Sequence, residues 1–255
     1  MSNLNNNTGV KSKVNYFTEN GFVVLKNVIS IKEIKSLLIE IEKIKKQVLK
    51  TNNKRFYHLT KNKKINTIHN IQKFYKSDVL KKLSNNIFIQ NFLKNALSKK
   101  NLVRNYEFFL KPAKTGMASP IHQDNFYWNI KKGRAVNAWI ALGKADRSNG
   151  GIFYLKGSHK VGVIEHEPSF MKGTSQTIPK KKITKKFKKF YPTLRKGDCL
   201  IHHCEVMHGS NQNLSNMSRK GIAISYKSFD AKIDMKKKQI YEKKLKENTK
   251  NIYKF

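Results

Sequence analysis

Cysteine is scarce in this chain: Cys199 and Cys204, with four residues between them, are the two in 255 positions. A disulfide framework is therefore not indicated, and a reducing cytoplasm is the expected compartment. Long apolar runs are lacking too. None approaches the roughly 20 residues that a membrane-spanning helix needs, and the opening MSNLNNNTGVKSK holds no apolar stretch that could serve as a signal peptide. A soluble protein with no membrane partner is the expectation. Acids are also few, 16 against 53 Lys and Arg, for a net charge of +37. Such an excess marks many nucleic-acid binders. Here it is nearly all lysine, runs from Lys11 to Lys254, and comes with abundant Asn and Ile, a bias that an A- and T-rich base composition produces without selection for binding. Nucleic acid is therefore not the expected partner, whereas a small anionic substrate is compatible with the charge.

What the chain does have is an ordered change of texture. Residues 1–14 are polar and Asn-rich without apolar periodicity, and read as a disordered tail. GFVVLKNV (residues 21–28) reads as a short buried strand. Ser30 with Glu33 then makes a capping box, and Ile34, Leu37, Leu38, Ile41, Ile44 and Val48 keep the spacing of an amphipathic helix. Helical spacing returns from Asn70 to Leu97. After Leu102 come short apolar runs broken by turn residues: LVRNYEFFL, NFYWNI, AVNAWIAL, GIFYL, GDCLIHH and GIAISYKSF. Helices first and many short strands afterwards predict a β sandwich or barrel with helices outside it. PKKKITKKFKKF (residues 179–190), with seven lysines, reads as a solvated loop, and the lysine-rich residues 231–255 as an exposed helical extension to a domain spanning 15–230.

The chemistry concentrates in two stretches. In PIHQDNFYW, His122 and Asp124 flank one residue, so on a strand both side chains leave the same face and can converge on one ion. His-x-Asp is common by chance and needs a third ligand. GDCLIHHCEVMHGSNQNLSNMSRKGIAISY supplies His208, and Arg219 eleven residues later. Two imidazoles and a carboxylate on one face of an octahedral iron leave three positions for oxygen and a bidentate 2-oxo acid. An arginine fork matches that acid's far carboxylate.

With those stretches, ENGFVVLKNV, KPA (residues 111–113), AWIAL, DRSNGGIFYLKGSHK and HGSNQNLSNMSRKG follow in one order between Tyr16 and Phe229. Taken together they resemble the phytanoyl-CoA dioxygenase family, ectoine hydroxylase-like members included. The resemblance implies a mainly β fold, a double-stranded β-helix or jelly roll with N-terminal helices packed outside. It implies Fe(II) held by His122, Asp124 and His208, and 2-oxoglutarate as co-substrate with its far carboxylate on Arg219. Ser210 would assist Arg219, and Trp139 would border the co-substrate pocket. The implied reaction is hydroxylation of a C–H bond in a small molecule by molecular oxygen, with release of succinate and CO2. Halogenating relatives lack the ligand carboxylate, and Asp124 is present here.

Other readings stay open at this level. The same chemistry could act on a nucleotide or nucleic acid, or the jelly roll could be a non-catalytic binding module. His202, His203 and His208 with Cys199 or Cys204 could form a zinc site, although the spacing matches no paired zinc motif. His203 is expected beside the last strands, orienting a ligand from outside. His159 could touch substrate or cap a turn. Phe126, Tyr127, Trp128 and Phe153 read more readily as core than as pocket wall, and Asn149, Gly150 and Gly151 as turn chemistry.

Overall fold

Every residue of AVNAWIA (strand Ala135–Ala141) is buried, which an alternating strand achieves only when both of its faces are covered. Val136, Ala138 and Ile140 join one apolar cluster and Trp139 and Ala141 another. The computed structural model, which describes residues 2–131, 134–171 and 174–252, shows what covers each face.

The first half supplies the helical layer. In chain order it runs α1 (Ser2–Asn20), β1 (Phe22–Leu25), α2 (Ile31–Lys50), β2 (Tyr57–Leu59), β3 (Ile65–Ile68), α3 (Asp78–Ser84) and α4 (Ile87–Ala96). Ser30 and Glu33 form the capping box that starts α2. Ile34, Leu37, Ile41, Ile44 and Val48 bury one stripe of α2 together with Leu80, Ile89 and Phe92 of the next two helices. The chain is helical from Ser2, although the sequence predicts a tail to residue 14. The last turns of α1 are docked: Phe17 is buried, its ring meets Phe92 edge-on at 5.5 Å, and Gly157 N–H donates to Asn20 O. An anchored end removes the cost of helix nucleation, after which each further residue is cheap to add.

The second half supplies the sandwich: β4 (Asn101–Phe109), β5 (Ser119–His122), α5 (Asp124–Trp128), β6 (Ala135–Ala141), β7 (Ile152–Leu155), β8 (Glu167–Met171), β9 (Thr174–Thr177), β10 (Lys189–Phe190), β11 (Cys199–His203), β12 (His208–Ser210), β13 (Gly221–Ser228) and α6 (Met235–Ile252). The major sheet has the order β1-β11-β6-β13-β4-β3-β2, the minor sheet β10-β7-β12-β5, and β8 with β9 forms a hairpin. All pairings are antiparallel. The outer face of the major sheet carries the helices; its inner face meets the minor sheet through Phe22, Trp139, Tyr154, Leu200 and Val206. This is the jelly roll with helices outside that the resemblance implies.

NFYWNI, expected as a strand, is instead the short helix α5, ended by Asn129 in the left-handed region (φ 53°). Its turn at Gln123 is pinned from behind. The buried Gln123 amide donates to Gly162 O (2.7 Å) and Glu205 O (2.6 Å) and accepts from Ile164 N (2.9 Å). The lysine-rich 179–190 segment is mostly loop, with a 3-10 turn at Lys180–Lys182, and its last two residues form β10 against β7. In the C-terminal extension, Tyr241 of α6 packs edge-on against Phe126 and Tyr127, both at 5.8 Å. No helix among the described residues is long and apolar enough to cross a membrane.

Candidate metal centre

His122 ends β5 and His208 opens β12, directly opposite in the antiparallel register. Their rings lie 4.3 Å apart. His122 Nδ1 is 2.8 Å from Pro120 O, and His208 Nδ1 is 3.0 Å from Val206 O. A carbonyl can only accept, so each Nδ1 carries the proton and each Nε2 keeps its lone pair. Asp124 heads α5, one residue past the corner at Gln123, so the same-face relation expected of a strand survives across that extended residue. Its Oδ1 stands 3.7 Å from both Nε2 atoms. These three ligand atoms form the one such cluster among the described residues, all within 4.8 Å of one another.

The other carboxylate oxygen is held from behind. Asp124 Oδ2 receives Asn137 Nδ2 at 3.3 Å and lies 3.1 Å from His202 Nε2, while His202 Nδ1 lies 2.8 Å from the Tyr154 hydroxyl. Burial pushes the Asp124 carboxyl upward, but the surrounding imidazoles of His208, His122 and His202 outweigh it and hold the acid well below its usual range. Burial, with His122 and His202, drives the His208 imidazole well below its ordinary value. A neutral imidazole beside an ionised carboxylate is the state a cation needs. His202, not His203, is thus the ligand-orienting histidine. His203 accepts from Glu205 N (3.1 Å) and turns towards His159 and Phe17. Replacing His202 with Phe is expected to weaken Fe(II) affinity about 10- to 100-fold, read by competition with a chromophoric chelator; unchanged affinity contradicts the positioning role.

Deeper between the sheets lies Arg219, 3 % exposed. Its guanidinium sits 5.0 Å over the Trp139 ring. Arg219 Nε and Nη1 and Trp139 Nε1 are buried with no acceptor among the described residues, and each such orphan costs about 1–3 kcal/mol. Burial lowers the Arg219 pKa to about 10, which still leaves it charged at neutral pH. Beside it the sequence reading missed a second cation. Lys111 of the KPA tripeptide is 3 % exposed and donates to Ser210 Oγ (2.7 Å) and Asn211 O (2.6 Å). Ser210 is therefore bound to Lys111. Gly150 (φ 76°) makes room for that lysine, because a Cβ there would stand 2.8 Å from Lys111 Cδ and 2.7 Å from Asn211 O. The turn glycine thus has a packing role as well.

His122, Asp124, His202, His208, Ser210, Trp139 and Arg219 line one cavity of about 250 Å³, walled further by His69, Arg104, Glu107, Tyr127 and Trp128, with Lys111 standing behind Ser210. Of the four aromatics expected mainly as core, Tyr127 and Trp128 reach it. Phe126 stacks on His166 at 4.1 Å instead, and Phe153 packs on Tyr191. His159 lies outside, its Nε2 3.0 Å from Thr18 O. The alternative zinc cluster does not assemble among the described residues: Cys199 faces the helical layer and Cys204 packs with Trp128, Ile130 and Ala135.

The sequence model of the family described as "Phytanoyl-CoA dioxygenase (PhyH)" matches residues 17–221. The chain belongs to the phytanoyl-CoA dioxygenase family. It is 25% identical over 224 residues to the peroxisomal phytanoyl-CoA dioxygenase of Bos taurus, covering 83% of this chain and 66% of that protein. Among solved structures, the epimerase SnoN in complex with Fe3+, alpha ketoglutarate and nogalamycin RO superposes with a TM-score of 0.70 at 18% identity, over 89% of this chain and 86% of that one. EctD from S. alaskensis with 2-oxoglutarate and 5-hydroxyectoine gives 0.69 at 19% identity, over 88% and 77%. As a member of the phytanoyl-CoA dioxygenase family, the chain is an enzyme of the iron- and 2-oxoglutarate-dependent oxygenase class, and Fe(II) and 2-oxoglutarate are its cofactors.

Proposed function

We propose that His122, Asp124 and His208 hold one Fe(II), that Arg219, backed by Lys111 through Ser210, holds the far carboxylate of 2-oxoglutarate, and that the enzyme hydroxylates a C–H bond of a small organic molecule. The buried, acceptor-less Arg219 guanidinium in the same cavity as the His-Asp-His cluster carries this reading. When bound, iron and co-substrate supply the oxidising chemistry, dividing O2 between succinate formation and the hydroxyl placed on the substrate.

The chain's own part is positional. Pro120 O and Val206 O fix the imidazole tautomers, His202 and Asn137 aim the carboxylate, and Trp139 sets the plane of the arginine fork. Ser210 orients the Lys111 ammonium. Neither cysteine forms a disulfide, which fits the cytoplasmic location we assign.

Burial, reinforced by Arg219, lowers the Lys111 pKa to about 6. Above that pH the free amine is neutral, and a carboxylate placed beside it raises its pKa again. Binding of 2-oxoglutarate at pH 7.5 should therefore take up a proton. Affinity is greatest below about pH 6 and is lost as pH rises through the bound-state value. Calorimetry in two buffers of different ionisation enthalpy reads this; absence of uptake, or equal uptake by Lys111→Met, contradicts it.

The function itself is tested by anaerobic titration of the protein with Fe(II) and 2-oxoglutarate. The weak visible charge-transfer band of the chelate should appear, followed by oxygen-dependent succinate formation. A folded protein that never shows the band refutes the proposal.

A further inference from the structure

The strand register of β4 contains one irregularity, and it lies at the cavity. Ser225 of β13 pairs with Asn105 and Tyr226 with Val103, so Arg104 is an extra residue on its strand, a β-bulge. Without it, alternation would send Arg104 to the same face as Phe108, whose side chain joins the helical layer. With it, Arg104 lines the metal cavity beside Asn105, Glu107 and Phe109. Gln72 stabilises the bulge by accepting from Tyr106 N (3.3 Å) and donating to Arg104 O (3.3 Å).

The guanidinium is stacked 4.5 Å over the ring of Trp128, which is itself buried. It makes no hydrogen bond or ion pair with any other described side chain. Glu107, the nearest acid on its strand, is engaged by His69 at 2.8 Å. Asp124 is committed to the imidazole cluster. Arg104 therefore presents an aromatic-backed cation to the cavity with its donors unspent. Its place along the sheet is also informative. Asn137, behind Asp124, pairs with Ser225 in the Asn105 row; Arg219 lies before Gly221, which pairs with Phe109 at the far end of β4. The metal cluster thus stands between two arginines, Arg219 on one side and Arg104 on the other.

We propose that Arg104 is a specificity-determining residue that binds a carboxylate on the organic substrate, so that the substrate is a small organic acid held across the metal from the co-substrate. A guanidinium backed by an indole can pair with a carboxylate through two parallel N–H donors. The substrate then lies between Arg104 and the metal, and the C–H presented for attack is set by its distance from its own acid group. This assignment rests on the proposed function for its meaning but not for its measurement.

The test is equilibrium dialysis of phenylacetate and of phenylacetamide against the full chain, held anaerobically with Fe(II) and saturating 2-oxoglutarate, with the charge-transfer band recorded on the same samples. The acid should bind at least about tenfold more tightly than the amide. Arg104→Met should erase that preference while the band still forms at the wild-type 2-oxoglutarate concentration. Arg104→Gln replaces it if the methionine variant does not fold. Where the band is present, equal binding of acid and amide, no binding of either, or a preference that survives in the variant overturns the carboxylate site and leaves the proposed function standing. Where the band is absent, an Arg104-dependent preference keeps the anion site and refutes the function; no such preference refutes both.

Discussion

Replacing His208 with alanine abolishes iron retention. The ring supplies one of only two imidazole lone pairs that meet Asp124 Oδ1 at 3.7 Å. Without it the remaining ligands come from a single three-residue segment, His122 to Asp124. Two donors leave a hard divalent ion largely to water, so metal content after gel filtration should fall from near-stoichiometric to background, and the charge-transfer band should vanish with it. The fold should survive. His208 sits in a three-residue strand hydrogen-bonded on both edges, to β5 and β7, and losing a buried ring costs on the order of 2–4 kcal/mol. Retention of iron at the wild-type level by a folded variant would remove His208 from the ligand set.

Arg219→Ala separates the co-substrate from the metal. The three metal-facing side chains make no hydrogen bond to Arg219, so Fe(II) affinity should be kept. Affinity for 2-oxoglutarate should fall by about 2–5 kcal/mol, the cost of truncating one partner of a buried charge pair, or on the order of 30- to 4,000-fold. Some binding should remain through Lys111, whose ammonium is tied to Ser210 rather than to the arginine. Removing Arg219 also removes a positive neighbour that depresses the Lys111 pKa, which strengthens that residual grip near neutral pH. The concentration of 2-oxoglutarate at half-maximal band intensity reads the effect. An unchanged value would mean that another cation holds the carboxylate.

The sequence carried the helical layer and the long strands because their patterns are periodic. In α2 the apolar stripe and the Ser30–Glu33 box are both visible in one-letter code, and β6, β11 and β13 announce themselves as apolar runs. Strands of three to five polar or mixed residues, such as β2, β5 and β9, leave no periodicity long enough to read. The candidate ligands were legible as types at a spacing, and Arg219 as a cation at the right distance. What orients them was not. Lys111 looks like any of dozens of lysines until burial removes it from water. His202 and His203 are indistinguishable in sequence, and only strand parity sends one to the carboxylate and the other towards α1. Arg104 depends on a one-residue slip in a strand register, which no local pattern encodes.

The Asp124 carboxylate faces two ways. One oxygen is tied to Asn137 and His202 on the major sheet, and the other meets His122 and His208 on the minor sheet. A cation seated there is therefore a rivet through the sandwich. Gripping the ion and keeping the two sheets closed draw on the same free energy, so loading with metal lowers the population of splayed states in proportion to how tightly it is held. Chelation, conversely, loosens the mouth of the roll before it disturbs the helical layer. In a cell short of iron, the fraction of this protein open to proteases would rise as iron supply falls, and its abundance would report the availability of its own cofactor.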